Sequence, residues 1–463
     1  MHLRSDTRQN IQRELDSPSV PTGEARRAGQ GATESPLAGQ DSDSPANTQR
    51  LMEEICERNN LKAALQRVQA NKGSGGVDGM SVGDLPAYLK QHWPALRDQL
   101  LAGTYTPQPV KRVEIPKPGG QGMRQLGIPT ALDRFLQQAV LQVLQRRWDR
   151  TFSDHSYGFR PGRSAHQAVA QAQRYIADGY GWVVDLDLEK FFDRVNHDKL
   201  MGQIAARVAD KRLLRLLRAF LTAGVMENGV VGPSVEGTPQ GGPLSPLLSN
   251  LVLDDLDREL ERRGHRFVRY ADDSNIYVRS VRAGHRVMTS ITRFITQTLK
   301  LKVNAAKSAV ARPHERKFLG FSFTDGSPVL RAIAPLTVVR FKARIREITR
   351  RAKGVSIEAT IAALVPYLRG WRNYYGFCET PAVLVGLTRW VRVRLRAALW
   401  RQWKTPRRRR AALIAHGVGP QLAGNTAASG LGPWRLARSK AINIGLSNAY
   451  FRSLGLPSLV EAC

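Results

Sequence analysis

Four aspartates in this 463-residue chain have the type and placement to do chemistry. Asp187 lies near the end of a short apolar run, Trp182 to Leu188, that also carries Asp185. Asp272 and Asp273 sit further along, between two runs of β-forming residues from His265 to Val278. Two adjacent strands would bring these carboxylates together, where their mutual repulsion is costly unless a cation sits among them. Hard oxygen ligands with open positions suit Mg²⁺, which takes one or two carboxylates plus substrate phosphates. Two such ions about 3.5–4 Å apart would stabilise the attacking and leaving oxygens of an in-line displacement. That chemistry is nucleotidyl transfer. An Asp-Asp pair seen alone is usually a turn former, so its neighbours must decide.

The elements that would position these acids can be read from pattern. Leu51, Ile55, Leu61, Leu65 and Val68 predict helices between Thr48 and Ala70, ended by the Gly-rich loop 71–79. Val110 to Ile115 alternates like a strand, closed by the turn cluster 116–120, and residues 131–148 follow helical spacing. Trp182 to Leu188 is short and β-branched, which predicts a buried strand. Residues 198–221 and 247–263 predict helices, with a Gly/Pro segment at 237–243 that cannot be helix interior. His265 to Val278 predicts two strands joined at Ala271-Asp272-Asp273. Beyond 335 the texture becomes Arg-rich helix, and the last fifty residues are Gly-punctuated and predicted to be loop-rich.

Composition narrows the partner. Lys and Arg number 70 against 39 Asp and Glu, a net charge of +31, which calls for a polyanion. The charge is uneven. Residues 1–48 hold 5 basic and 7 acidic residues and read as a disordered tail, whereas 331–463 hold 24 basic and 4 acidic. Three scattered cysteines exclude a disulfide framework or paired-Cys zinc site. No apolar run is long enough to span a membrane, and no secretory h-region is present, so a cytoplasmic location is expected. His197 and His265 have no Cys/His partners nearby and read as structural residues.

The ordered motifs then carry a resemblance. Asp185-Leu-Asp187 with Phe191-Phe192-Asp193, GTPQGGPLSPLLSN at 237–250 and YADD at 270–273 resemble the palm of reverse transcriptases, in particular those of bacterial group II introns. NKGSGGVDG (71–79), IPKPGG (115–120), LGIPT (126–130), YGFRPGRS (157–164) and Lys307-Ser308 sit where that family has them. LRGWRNYYGF (368–377) is similar to its maturase segment. The resemblance implies an α+β right-hand polymerase. Fingers and an antiparallel palm sheet occupy 49–330, a helical thumb/maturase domain 331–403, and a basic nucleic-acid-binding region 404–463. Asp187, Asp272 and Asp273 become the catalytic carboxylates for two Mg²⁺ ions, with Asp185 a competitor on the same face. Lys117 and Arg124 would meet the triphosphate of the incoming dNTP, and Gln240 would line its pocket. Phe192, with Phe191 second, would exclude a ribose hydroxyl. Lys307 would protonate the pyrophosphate.

A polymerase palm alone does not explain the basic C-terminus. Arg389, Arg392 and Arg396 recur at i, i+3, i+7, Arg407, Arg408, Arg409 and Arg410 form a run, and Trp371, Arg372, Tyr374 and Tyr375 mix aromatic with basic character. Arginine pairs with phosphate and aromatics stack on unpaired bases, so these are candidate RNA contacts. The resemblance implies group II intron RNA as partner, target DNA, and splicing assistance with retrohoming. No Cys-paired HNH endonuclease segment like that of some relatives is expected, and priming from an available 3′ end is expected instead. Two alternatives remain: a splicing cofactor with little polymerase activity, and a retron or diversity-generating reverse transcriptase. The intact acids argue against the first, and the GW-x-NYY segment and palm turn against the second.

Overall fold

The computed structural model describes residues 48–116, 122–227, 230–232, 236–237, 241–350 and 354–460. The expected N-terminal tail except its last residue, Thr48, lies outside them, as do Lys117, Gln240 and the side chain of Arg124. Two compact units divide the described chain between Arg316 and Lys317.

In the first unit the N-terminal helices are α1 (Leu51–Ile55), α2 (Arg58–Ala70) and α3 (Leu85–Ala102). Strands β1 (Val110–Pro116) and β2 (Met123–Ile128) form an antiparallel pair, followed by α4 (Ala131–Trp148) and α5 (Ala165–Ala177). Strand β3 (Trp182–Leu186) leads to α6 (His197–Ala205) and α7 (Lys211–Thr222), then β4 (Val225–Glu227) and β5 (Val230–Gly232). After α8 (Ser245–Arg262), the hairpin β6 (Arg266–Tyr270) and β7 (Asp273–Val278) precedes α9 (Val281–Gln297) and β8 (Ala309–Ala311). The strands make two four-stranded sheets, ordered β2-β1-β4-β5 and β6-β7-β3-β8.

Local chemistry explains these boundaries. Thr130, Ser164, Asn196, Asp210 and Ser280 each accept a backbone N–H at the start of a helix, and Ser164 with Gln167 completes a capping box. Asp210 also explains why the expected helix over 198–221 is two. Its carboxylate takes the N–H groups of Arg212 and Leu213 and starts α7 afresh. Helix α9 packs across β3, β7 and β8, while α5 packs against β6 and β7. A buried core running from Leu51 to Leu301, which includes Phe135, Leu186, Leu253, Phe267 and Ile276, fixes the sheet between them.

The second unit opens with the antiparallel pair β9 (Phe321–Phe323) and β10 (Arg331–Ile333). Three long helices follow: α10 (Pro335–Arg350), α11 (Ile357–Tyr375) and α12 (Ala382–Gln402). Leu387, Val391, Leu395 and Leu399 of α12 are buried, the apolar face expected from spacing. The closing segment departs from expectation. It is a succession of short helices, α13 (Pro406–Ala415), α14 (Pro420–Ala428), α15 (Pro433–Leu436), α16 (Lys440–Gly445) and α17 (Asn448–Ser453). The same residues that suggested loops start these helices: Pro occupies the first turn of α13, α14 and α15, and Ser439 and Ser447 cap α16 and α17.

Candidate active site

Register brings the acids to one end of the central sheet. β3 pairs antiparallel with β7 from Trp182↔Val278 to Leu186↔Ser274, and the next residues on the two chains are Asp187 and Asp273. Asp272 occupies the turn between β6 and β7, where Tyr270 pairs with Asp273. All three aspartates are half-buried. Asp187 is pinned through its backbone: its N–H donates to Ser308 Oγ at 3.0 Å, and its carbonyl accepts from the Asn304 N–H at 2.8 Å. Lys307 follows in the same turn and extends its Nζ to 3.7 Å from Asp187 Oδ1, its side chain largely exposed.

Asp185 has a different partner. Its Oδ2 accepts from Arg316 Nε at 2.8 Å and Nη2 at 2.5 Å, and Arg316 also donates to the Lys307 carbonyl at 2.6 Å. Arg316 thus neutralises the acid one step inside the strand and ties down the turn that carries Lys307. Among the described residues, no three His, Cys, Asp or Glu side chains are grouped closely enough to hold a metal ion. The donor set that is present, half-buried carboxylate oxygens at a sheet end, fits an ion such as Mg²⁺ that completes its shell with water and substrate phosphate.

The turn that presents Asp272 and Asp273 is braced from behind by residues that spacing did not single out. Ala271 adopts φ +56°, a left-handed conformation unusual for a side-chain-bearing residue. Arg269, fully buried, donates from Nη1 to the Ala271 carbonyl and to Asn250 Oδ1, both at 3.0 Å. Its Nε meets Asp257 Oδ1 at 2.7 Å, and its Nη2 meets Asp257 Oδ2 and Ser156 Oγ. Every N–H of the guanidinium therefore has an acceptor. Asn250 in turn donates to the Gly158 carbonyl at 2.8 Å. Gly158 leaves no room for a side chain, since a Cβ there would stand 2.3 Å from the Ala271 nitrogen. Asn250 and Gly158 belong to motifs visible in the sequence, but nothing in their spacing pointed to Arg269 or Asp257.

The remaining candidates divide. Phe191 is 2% exposed and belongs to the core, so it has no face to offer a sugar; Phe192 is half-buried beside it, the rings edge-to-face at 5.2 Å. Gly241 approaches the Gly127 carbonyl so closely that a Cβ would lie at 2.6 Å, bringing the palm turn against the LGIPT segment. His197 is buried and bonds the Gly237 carbonyl through Nε2, a structural role. His265 is half-buried.

In the second unit Trp371 is buried, tilted against Phe341 and Tyr375, and is not open to stack on a base. Tyr374 donates to the Leu319 carbonyl, and burial raises the Tyr375 phenol above its ordinary pKa. Arg372 is half-buried beside Gly376. Arg396, a candidate RNA contact by its spacing, is 5% exposed and donates to the Leu446 carbonyl. Arg389, Arg407, Arg408 and Arg410 are exposed, Arg392 is half-buried, and Arg409 donates to the Trp403 carbonyl.

Residues 115–323 match the family described as reverse transcriptase (RNA-dependent DNA polymerase), and 338–413 match the group II intron maturase-specific domain. Protein YkfC of Escherichia coli K12 is 33% identical over 306 residues, covering 58% of this chain and 80% of that protein. The chain belongs to the group II intron reverse transcriptase and maturase family. Within it, the Group II intron-encoded protein LtrA of Lactococcus lactis is 39% identical over 198 residues, 42% of this chain and 32% of LtrA. This family member therefore spans about a third of LtrA. A more distant likeness, 32% over 211 residues, links it to the Retron Mx65 reverse transcriptase of Myxococcus xanthus. None of its described helices is long and apolar enough to cross a membrane.

Proposed function

We propose that the first unit extends a primer 3′-hydroxyl with deoxynucleotides on an RNA template, and that the second grips the intron RNA. The observation that carries the first half is the strand register that sets Asp187 beside Asp273, with Asp272 on the adjoining turn. These three would hold Mg²⁺, which when bound supplies charge stabilisation to the attacking and leaving oxygens. Lys307 stands at the same edge as a cationic acid for the departing pyrophosphate. Phe192 would crowd the sugar 2′ position. Lys117 and Arg124 would meet the triphosphate from the fingers, and Gln240 in the palm turn would line the nucleotide pocket. Fingers and palm would be the first unit, and thumb and maturase helices, with the basic end, the second.

The match over 338–413 favours a maturase-bearing enzyme over a retron-type one, and supports intron RNA as the partner. DNA would be the product strand and the target in retrohoming. Asp272→Ala combined with Asp273→Ala should abolish Mg²⁺-dependent primer extension on an RNA template while RNA binding stays near wild type. Retained extension would refute the site assignment. A wild-type chain that binds and helps splice intron RNA without extending primers would favour the splicing-cofactor reading.

A further inference from the structure

Within the second unit a cavity of about 610 Å³ opens between α12 and the closing segment, where α16, the start of α17 and residues 458–460 face it. One wall is Arg389, Arg392 and Arg396. The opposite wall is neutral and polar, made by Asn443, Ser447, Asn448 and Ser458. No acidic residue lines it among the described residues. Two exposed valines line it as well, Val385 at 53% and Val460 at 43% exposure.

The cavity is built rather than incidental. Arg396 Nε donates to the Leu446 carbonyl at 2.8 Å and Nη2 to Asn448 Oδ1 at 3.3 Å, which joins the arginine wall to the polar wall. The Leu459 N–H donates to Thr388 Oγ1 at 3.2 Å and holds the final residues against α12. Burial, with Arg392 beside it, works against the charge on Arg396. That cost is offset if an anion enters, because each guanidinium can fork two N–H donors onto phosphate oxygens.

We infer that this pocket takes one unstacked nucleotide, with its flanking phosphates, from a single-stranded nucleic acid. Its volume lies within the roughly 300–1,000 Å³ range of ligand pockets, ample for one nucleotide and closed to a duplex. The arginines would hold the phosphates, the valines the apolar faces of sugar and base, and the amides and hydroxyls the polar edges of the base. Splayed, unpaired nucleotides are what sequence-specific RNA recognition uses. The inference rests on the RNA-gripping role proposed above and adds a defined subsite, half of it built from residues past the 338–413 maturase match.

The test uses the full chain with fluorescent single-stranded RNA, DNA of the same sequence, and an RNA duplex, titrated at several salt concentrations. Asn443→Asp, at an exposed position, sets a carboxylate opposite the arginines. It should weaken single-strand binding about tenfold or more and duplex binding less than about twofold; Arg392→Gln should lower the single-strand salt slope by about 0.7. Should Asn443→Asp fail to fold, Val460→Asp in the pocket lining gives the same reading. Tighter binding of RNA than DNA would support recognition of the 2′-hydroxyl by the polar wall, and equal binding would support capture through phosphate and base alone. Unchanged single-strand affinity, or an equal loss on the duplex, would overturn the pocket. Primer extension by the wild-type chain is measured separately, so failure of the polymerase reading is not confused with failure here.

Discussion

Arg269 in the first unit and Arg396 in the second are both withdrawn from solvent, yet their charges are handled in opposite ways. Arg269 meets a carboxylate in bidentate fashion, and its other donors reach Asn250, Ser156 and the Ala271 carbonyl. Its charge is cancelled on the spot and its geometry is spent on one turn. Arg396 donates to neutral acceptors, the Leu446 carbonyl and Asn448, and faces a cavity with two further arginines. Its positive charge is kept. Buried arginine thus serves as scaffold where a carboxylate accompanies it, and as a standing anion site where only neutral oxygens do.

The comparison breaks most visibly at Asp257. Asp257→Ala would leave Arg269 charged and buried without its counter-ion, at a cost of about 3–5 kcal/mol in urea unfolding of the full chain. Arg269→Met with Asp257→Leu should recover most of that stability, since apolar replacements of a buried pair are often neutral. Primer extension should not recover with it, because the Ala271 carbonyl and Asn250 still lack their donor. Recovery of both would make the pair a folding device with no bearing on the catalytic turn.

Gly158 tests the same turn from its other side. Gly158→Ala forces a Cβ against the Ala271 backbone, and overpacking of this kind costs about 1–3 kcal/mol. The expected readout is a loss in kcat for primer extension with single-strand RNA affinity unchanged. On the other side of the comparison, Arg396→Met should cost about 1–2 kcal/mol, the price of leaving the Leu446 carbonyl unsatisfied. That loss should come with weakened RNA binding, whereas Asp257→Ala should affect RNA binding only through unfolding.

What the sequence made legible follows a physical line. The strands over 182–186, 266–270 and 273–278 and the helices over 131–148 and 245–262 are short-range patterns of apolar spacing and punctuation, and they form where expected. The acids were legible because an Asp-Asp turn and an Asp at a strand end are local features, and antiparallel pairing does the rest. Arg269, Asp257 and Arg316 were not, because a buried ion pair depends on two surfaces meeting in space; Arg316 and Asp185 are 131 residues apart in sequence. Nor could spacing separate Arg396 from Arg389: helical periodicity places both on one stripe, and only the packing of the closing segment buries one of them. The short helices after 405 were missed because Pro, Gly and Ser mark helix starts as well as loops.

Acid gives the gentlest test of the contrast between paired and carboxylate-free arginines. In the first unit Arg212 donates to Asp210 at 3.0 and 2.9 Å and to Glu53 at 3.0 and 2.8 Å, tying α7 to α1. Burial works against the charge on Asp210, but Arg212 and the Met52 N–H outweigh it and hold its carboxyl below the ordinary value; Arg212 chiefly lowers Glu53 in the same way. Since both folded-state values are depressed, the stability this cluster contributes is present above the unfolded values near 3.8 and 4.5, and is lost as pH falls through the folded ones. Glu53 is partly exposed, so Glu53→Gln should cost less than about 1 kcal/mol at neutral pH and flatten the acid limb of a stability–pH curve. The arginine pocket of the second unit offers no comparable carboxylate among its described lining residues. An equal acid dependence in Glu53→Gln and wild type would show that the Glu53–Arg212 pair adds nothing to the hold on α1.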